Sequence, residues 1–122
     1  MTTRTTTFRP HERIREPAVF RQAFERRRWE SDGTLTIYGL ENGLDHPRLG
    51  ISVSRKKVKT AAARNRIKRL IREAFRLSKP ELPAGLDLIV VPRNPSAGFD
   101  EVRRSLPDLA RGLERRMRSR KP

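Results

Sequence analysis

The segment from residue 55 to 79 constrains the fold of this chain most, because it combines a strong positive charge with the apolar pattern of a helix. It holds 11 basic side chains and one acidic side chain. Within it, residues 61–78 place apolar side chains three and four positions apart, on one helix face, and basic side chains on the opposite face. The apolar residues are Ile67, Leu70, Ile71 and Ala74. This helix must therefore pack by one face and leave a cationic face exposed.

The rest of the chain carries much less of the excess charge. The 122 residues include 29 Lys and Arg against 14 Asp and Glu, a net charge of +15. The first 54 residues hold 9 basic and 7 acidic side chains, and residues 80–114 hold 4 and 6. A charged helix face often does nothing more than contact water. Such a surface, however, usually mixes positive and negative side chains. The concentration of positive charge on one segment favours a polyanion as partner.

Composition argues against several classes of site. The chain has no Cys, its two His stand far apart in the sequence, and nearly all its acidic residues are scattered singly. We therefore expect no metal site, no bound cofactor and no catalytic side chain. No apolar run is long enough to cross a bilayer, so we expect a cytoplasmic protein without a membrane partner.

The remaining periodicities predict a single α+β domain, a sandwich with helices against one sheet. A first helix is expected to begin at Pro17, since Pro is favoured at the first helical position. Alternating apolar residues predict strands over 34–40 and 48–54, which we expect to form an antiparallel pair. Trp29 is expected to begin a further short strand.

The second half of the chain completes this domain. The apolar run over residues 86–91 predicts a central strand that is buried on both faces. A last helix is expected from Phe99 to Met117, with a kink or a restart at Pro107 and Ser105 as a possible N-cap. We divide the chain into a flexible arm (residues 1–12), a folded domain (residues 13–115) and a basic tail (residues 116–122).

Aromatic side chains indicate a second surface. Tyr38 is out of phase with the apolar residues of its strand, so it stands on the polar face, where a ring can stack on an unpaired base. Phe20 and Phe24 lie one turn apart on the first helix. Core packing is the ordinary role of such a pair, but they would line the same groove if that helix bordered the polar face. We expect Trp29 and Phe75 to be core or edge residues and assign them no role.

The segment ARNRIKRLIREAFR, Ala63 to Arg76, resembles the protein component of bacterial ribonuclease P. The aromatic residues of the first helix and strand, DHPRLGISVS before the basic helix and LPAGLDLIVVPR after it follow in the family's order, over about residues 13–115. The resemblance implies an α-β-β-β-α-β-α sandwich like the second domain of ribosomal protein S5. It also implies a left-handed βαβ crossover, against the usual right-handed rule.

The same resemblance implies a function. Members of the family bind a large catalytic RNA that removes the 5′ leader from precursor tRNA by magnesium-dependent hydrolysis, and the protein supplies no catalytic side chain. The chain would then be a subunit of this endoribonuclease, one monomer per RNA, with the ribonuclease P RNA and the single-stranded leader as partners. The residues implied to contact the catalytic RNA are Arg64, Asn65, Arg66, Lys68, Arg69 and Arg72. Those implied to form the leader-binding cleft are Phe20, Phe24 and Tyr38, with Arg55 and Lys56 at its edge.

Two departures from the family pattern bear on these assignments. The approach to the basic helix, SRKKVKT, is one residue longer than usual and has Lys59 where glycine is common, so a turn that glycine would ease at positive φ must be rebuilt. Which of Arg55, Lys56 and Lys57 enters the cleft stays open. Pro107 is atypical within the last helix.

Two other functions remain open at this point. A ribosomal or ribosome-assembly protein is the main alternative, since small basic α+β domains are common in that class. A self-sufficient ribonuclease comes third, because no pair of catalytic side chains is apparent.

Overall fold

The structure, a computed structural model, describes residues 8–119 and has the predicted element order α-β-β-β-α-β-α. The strands are β1 (Trp29–Ser31), β2 (Leu35–Glu41), β3 (Arg48–Ile51) and β4 (Leu86–Pro92). The helices are α1 (Pro17–Arg26), α2 (Ala61–Ser78) and α3 (Phe99–Ser119), with short 3-10 turns at Pro10–Glu12 and Lys79–Glu81. The α+β class and the short strand that begins at Trp29 are confirmed.

Strand β4 lies inside the sheet, whose order is β1-β2-β4-β3. It pairs antiparallel with β2 and parallel with β3, and its first five residues are buried, as the apolar run predicted. The predicted antiparallel pair of β2 and β3 is wrong, because β4 lies between them. Alternation identifies the face that a strand buries but not the strand beside it. Since β3 and β4 are parallel neighbours, α2 forms the crossover between them.

Helices cover both faces of the sheet. One face packs against α2 and α3 in the main core, where Phe75, Leu88 and Val90 are fully buried. The other face packs against α1 in a smaller cluster that contains Ala23 and Ile89. Because successive residues of β4 point to opposite faces, one strand supplies side chains to both cores.

Helix α3 runs without a break through Pro107. Of the kink or restart predicted at this residue, the restart is wrong, and Ser105 does not cap a helix. The Ser105 hydroxyl instead donates a hydrogen bond to Oδ2 of Asp32 at 2.7 Å, and so connects α3 to the β1–β2 turn. Asp32 in turn accepts hydrogen bonds from the backbone N–H groups of Thr34 and Leu35.

The folded region extends beyond both predicted boundaries. Phe8 packs edge to face on Phe75, with ring centroids 5.3 Å apart, and the buried Glu12 carboxylate forms an ion pair with Lys79 at 2.9 Å. The predicted arm is therefore packed from residue 8 onward. Helix α3 buries Met117, so the tail boundary predicted at residue 116 falls inside this helix. The other parts of the predicted arm and tail, residues 1–7 and 120–122, lie outside the described residues.

Candidate nucleic-acid interface

Helix α2 presents the cationic face that its sequence pattern predicts. Its first turn is fixed by Thr60, whose side chain accepts a hydrogen bond from the backbone N–H of Ala63 at 3.1 Å. Ile67 and Ile71 are fully buried against the sheet, which orients the opposite face toward solvent. Asn65 lies in the second turn of this helix and is exposed.

Two of the predicted RNA-contacting arginines also hold neighbouring loops in place. Arg64 donates a hydrogen bond from Nη1 to the carbonyl oxygen of Val58 at 2.8 Å, across the loop before α2. Arg66 donates from its two terminal nitrogens to the carbonyl oxygens of Pro95 at 3.0 Å and Ala97 at 2.8 Å, in the loop between β4 and α3. A guanidinium has five N–H donors, so both side chains keep donors for a phosphate. Nothing in the local sequence pattern indicated these loop contacts.

The charges further along this face are not neutralised. Within residues 8–119, Lys68, Arg69 and Arg72 form no ion pair. Burial lowers the pKa of the Arg72 guanidinium, and the nearby positive charges of Arg13 and Arg69 lower it further. These like charges repel one another. A polyanion that lies against them would relieve this repulsion, and its binding would therefore be favourable.

The one carboxylate of the segment from residue 55 to 79, that of Glu73, does not neutralise these three cations. Glu73 forms its ion pair with Arg76, one turn further along the helix. The hydrogen bond from Arg76 lowers the pKa of the Glu73 carboxyl, so the group is ionised at neutral pH. Its charge offsets that of Arg76 and leaves the other cations of the face uncompensated.

The aromatic residues predicted for a groove do come together, on the face of the sheet that α1 covers. The rings of Phe24 and Tyr38 meet edge to face with their centroids 4.8 Å apart. Phe24 remains 37% exposed, and Tyr38 is half-buried beside the smaller core. The ring of Phe20 lies against Gly50 of β3, so closely that a Cβ at this glycine would be 2.7 Å from Cζ of Phe20. These rings are therefore outside the main core.

A cavity of about 210 Å³ joins the aromatic surface to the basic helix. It lies where α1, the segment before α1, β3 and α2 meet. Phe20 contributes one wall, and Lys68 and Arg72 contribute another. One residue of the predicted aromatic surface and two of the predicted basic face thus line the same cavity.

Two further basic residues line this cavity, and the sequence interpretation missed them. Arg13 and Arg15 flank the buried Ile14, whose backbone N–H donates a hydrogen bond to the carbonyl oxygen of Leu49 at 2.9 Å. This contact lays the segment along β3, next to the cavity. The alternation of charged and apolar residues from 13 to 15 is a signal for an extended segment, although a short one. Arg13 also covers the ring of Phe8, with its guanidinium carbon 4.8 Å from the ring centroid.

Arg55 and Lys56 lie on the turn between β3 and α2. Both are exposed, as is Lys57, and none of the three lines the cavity. The hydroxyl of Ser54 accepts hydrogen bonds from the backbone N–H groups of Lys56 and Lys57, at 3.2 Å and 3.3 Å. Lys59 does not adopt a positive φ: among residues 8–119 the only non-glycine with positive φ is Arg27. The turn is therefore built without the conformation that glycine would favour.

Within residues 8–119, no group of three or more His, Asp or Glu side chains comes together in a way that could hold a metal ion. His11 and His46 are brought together with ring centroids 5.1 Å apart, which their separation in sequence did not suggest. In this part of the chain no helix is both long and apolar enough to span a membrane.

Comparisons with known proteins agree on one family. A family model described as Ribonuclease P matches residues 8–114. The ribonuclease P protein component of Methylococcus capsulatus is 44% identical over 88 residues, which cover 72% of this chain and 68% of that one. The corresponding protein of Haemophilus influenzae is 46% identical over 82 residues, covering 67% and 68% of the two chains.

Solved structures show the same likeness in three dimensions. The ribonuclease P protein from Thermotoga maritima matches with a TM-score of 0.73 at 34% identity, over 82% of this chain and 96% of that one. The Staphylococcus aureus protein matches with a TM-score of 0.72 at 32% identity, over 84% and 95%.

Proposed function

The chain belongs to the ribonuclease P protein family, and from this premise we propose that it binds the catalytic RNA of ribonuclease P and the single-stranded 5′ leader of precursor tRNA. In this proposal it acts as one monomer per RNA in the cytoplasm and supplies no catalytic side chain. Family membership also supports this proposal over the ribosomal-protein alternative.

The cationic face of α2 is proposed to contact the catalytic RNA. Lys68, Arg69 and Arg72 provide positive charges that no described carboxylate neutralises. Contacts of this kind with phosphates release counterions and are independent of sequence, which suits a structured RNA whose backbone is its most accessible feature. Arg64 and Arg66 add donors at the start of the helix while they hold the flanking loops.

The aromatic face is proposed to hold the leader. A base has a π-face whatever its identity, so rings such as those of Phe24 and Tyr38 can stack on unpaired nucleotides with little sequence preference. That property is needed by a protein that serves many precursors. The arginines around the cavity, Arg13 and Arg15, would meet the phosphates of the same strand.

The observation that carries the proposal is the cavity lined by both Phe20 and Arg72. This shared lining supports a site for a single strand directly beside a site for a structured RNA, an arrangement in which both RNAs would be bound at once. The leader would then remain close to the catalytic RNA that cleaves it. We assign the magnesium ions of the reaction to the RNA subunit, with no cofactor bound by the protein alone.

Reconstitution tests the proposal. The chain is mixed with a bacterial ribonuclease P RNA at a magnesium concentration too low for the RNA to act well alone, and the cleavage of precursor tRNA is followed. We expect faster cleavage and tighter binding of the precursor than with RNA alone. No gain in either quantity would refute the proposal, and cleavage by the protein without RNA would revive a self-sufficient ribonuclease.

A further inference from the structure

Phe20, Phe24 and Tyr38 form a row of aromatic side chains on the α1 face of the sheet, and this row continues beyond Tyr38 to Trp29. We propose that Trp29 is an additional base-stacking position, which extends the leader-binding surface to the outer edge of the sheet at β1. This inference rests on the proposed function, because its ligand is an unpaired base of the leader.

The strand register places Trp29 on the same face of the sheet as Tyr38, the face that α1 covers. In the antiparallel pair of β1 and β2, Trp29 lies directly opposite Tyr38. Residues directly opposite one another in such a pair project from the same face of the sheet, with their Cβ atoms about 5 Å apart. Tyr38 also contacts Phe24 of α1, so Trp29 extends the same aromatic surface by one strand.

Burial shows that Trp29 is not a core residue. It is 45% exposed and belongs to neither buried cluster of the described chain. Three large apolar side chains are exposed among residues 8–119, and two of them, Trp29 and Phe24, lie beside Tyr38. A large ring that remains so open to water on a strand is available for a partner that covers it.

The charges just before this residue in the sequence fit a nucleic acid. Arg26 and Arg27 are exposed, and neither forms an ion pair with a described residue. Arg27 ends α1 in the left-handed conformation, with φ of 55°, and this turns the chain from the helix into β1. The neighbouring carboxylate of Glu30 is engaged elsewhere, in an ion pair with Arg116 of α3 at 2.6 Å.

An exposed ring with uncompensated arginines close to it in the chain has the two elements by which single strands are bound without sequence readout, a stacking surface and positive charge. Across the sheet the order of rings is Phe20 over β3, the pair of Phe24 and Tyr38 at β2, and Trp29 at β1. A leader that follows this row would reach Trp29 only when it is long enough to cross the sheet.

Leader length therefore provides the test. The reconstituted holoenzyme is titrated with precursor tRNAs whose leaders lengthen one nucleotide at a time, and with mature tRNA. We expect Trp29→Ala to lower the affinity for the long-leader precursors by about 5- to 30-fold, since a stacked base contributes about 1–2 kcal/mol at an open site. Affinity for the shortest leaders and for mature tRNA should not change, and Trp29→Phe should recover most of the loss.

Two controls separate the possible failures. Leu44→Ala removes a side chain of similar exposure, 41%, from the β2–β3 loop and should have no effect at any length. Because Trp29 is the only Trp of the chain, its emission should also change when a long leader binds. A length profile of Trp29→Ala that matches that of Leu44→Ala would overturn the Trp29 proposal alone. If the unmodified holoenzyme showed no preference for a leader of any length, leader binding itself would be refuted.

Discussion

Replacement of Arg66 should weaken both the fold and RNA binding, whereas replacement of Arg69 on the same helix should weaken RNA binding alone. Arg66 donates two hydrogen bonds to carbonyl oxygens of the β4–α3 loop, one at an exposed site and one partly buried. The side chain of Arg69 is exposed and makes no hydrogen bond or ion pair within residues 8–119. The two side chains have the same charge and lie on one helix, so they form a matched pair.

The expected magnitudes follow from these contacts. Hydrogen bonds from a charged donor contribute about 1.5–3 kcal/mol each when well protected and less when exposed to water. We therefore expect Arg66→Ala to lower the free energy of unfolding by roughly 1–3 kcal/mol, and Arg66→Lys to lose about half of that, because an ammonium group cannot span both carbonyls. Arg69→Ala should change it by less than about 0.5 kcal/mol.

Two assays separate the effects. Urea unfolding followed by circular dichroism measures stability, and the salt dependence of binding to ribonuclease P RNA measures phosphate contacts. Each alanine variant that loses a phosphate contact should reduce the slope of log affinity against log salt by about 0.7–0.9. Equal stability of Arg66→Ala and Arg69→Ala would refute the tethering role of Arg66, and an unchanged salt slope in both would refute their contact with RNA.

Two further predictions concern the aromatic face and the N-terminal segment. Gly50→Ala should reduce the affinity for leader-bearing precursor several-fold without affecting mature tRNA, because the new Cβ would lie 2.7 Å from Cζ of Phe20 and displace its ring; equal affinities of variant and parent for the precursor would contradict this. Burial opposes ionisation of Glu12, but hydrogen bonds from the backbone of Arg9 and from Lys79 outweigh it and hold the pKa of this carboxyl below its ordinary value of 4.5. The ionised group therefore stabilises the fold above that pH and loses this contribution as the pH falls through the lowered pKa. Glu12→Gln should be less stable by about 1–2 kcal/mol at pH 7, and in thermal or urea unfolding the difference should shrink as the pH falls below 4.5 and through the lowered pKa; a difference independent of pH would show that the ion pair does not contribute.

Local patterns were sufficient for much of this fold. The helix that became α2 was predictable because its apolar and basic residues separate at a period of 3.6, and the central strand because its apolar run is continuous. The phase of its strand placed Tyr38 on the polar face of the sheet, whereas the helix phase of Phe20 and Phe24 left core packing and a groove both open. Each of these inferences depends on residues within a few positions of each other.

The features that escaped prediction all depend on long-range contacts. The insertion of β4 between β2 and β3 joins segments that are distant in sequence. The apolar alternation within β2 or β3 does not show which strand lies beside it. The loop tether by Arg66, the bond between Ser105 and Asp32, and the ordering of residues 8–12 by Lys79 likewise join residues that are far apart in the chain. Motif resemblance identified the basic and aromatic residues, but the cavity that joins them required the packed structure.

The preference of the holoenzyme for leader-bearing precursor over mature tRNA tests the central claim most directly. The measurement compares the affinities for both RNAs in Phe24→Ala and Arg69→Ala holoenzymes, each against the unmodified protein. We predict that Phe24→Ala lowers the ratio of the two affinities about 5- to 30-fold, through loss of a stacked base. Arg69→Ala should weaken both affinities and leave the ratio unchanged. Equal losses for both RNAs in Phe24→Ala, or a ratio that falls in Arg69→Ala, would contradict the assignment of the leader to the aromatic face.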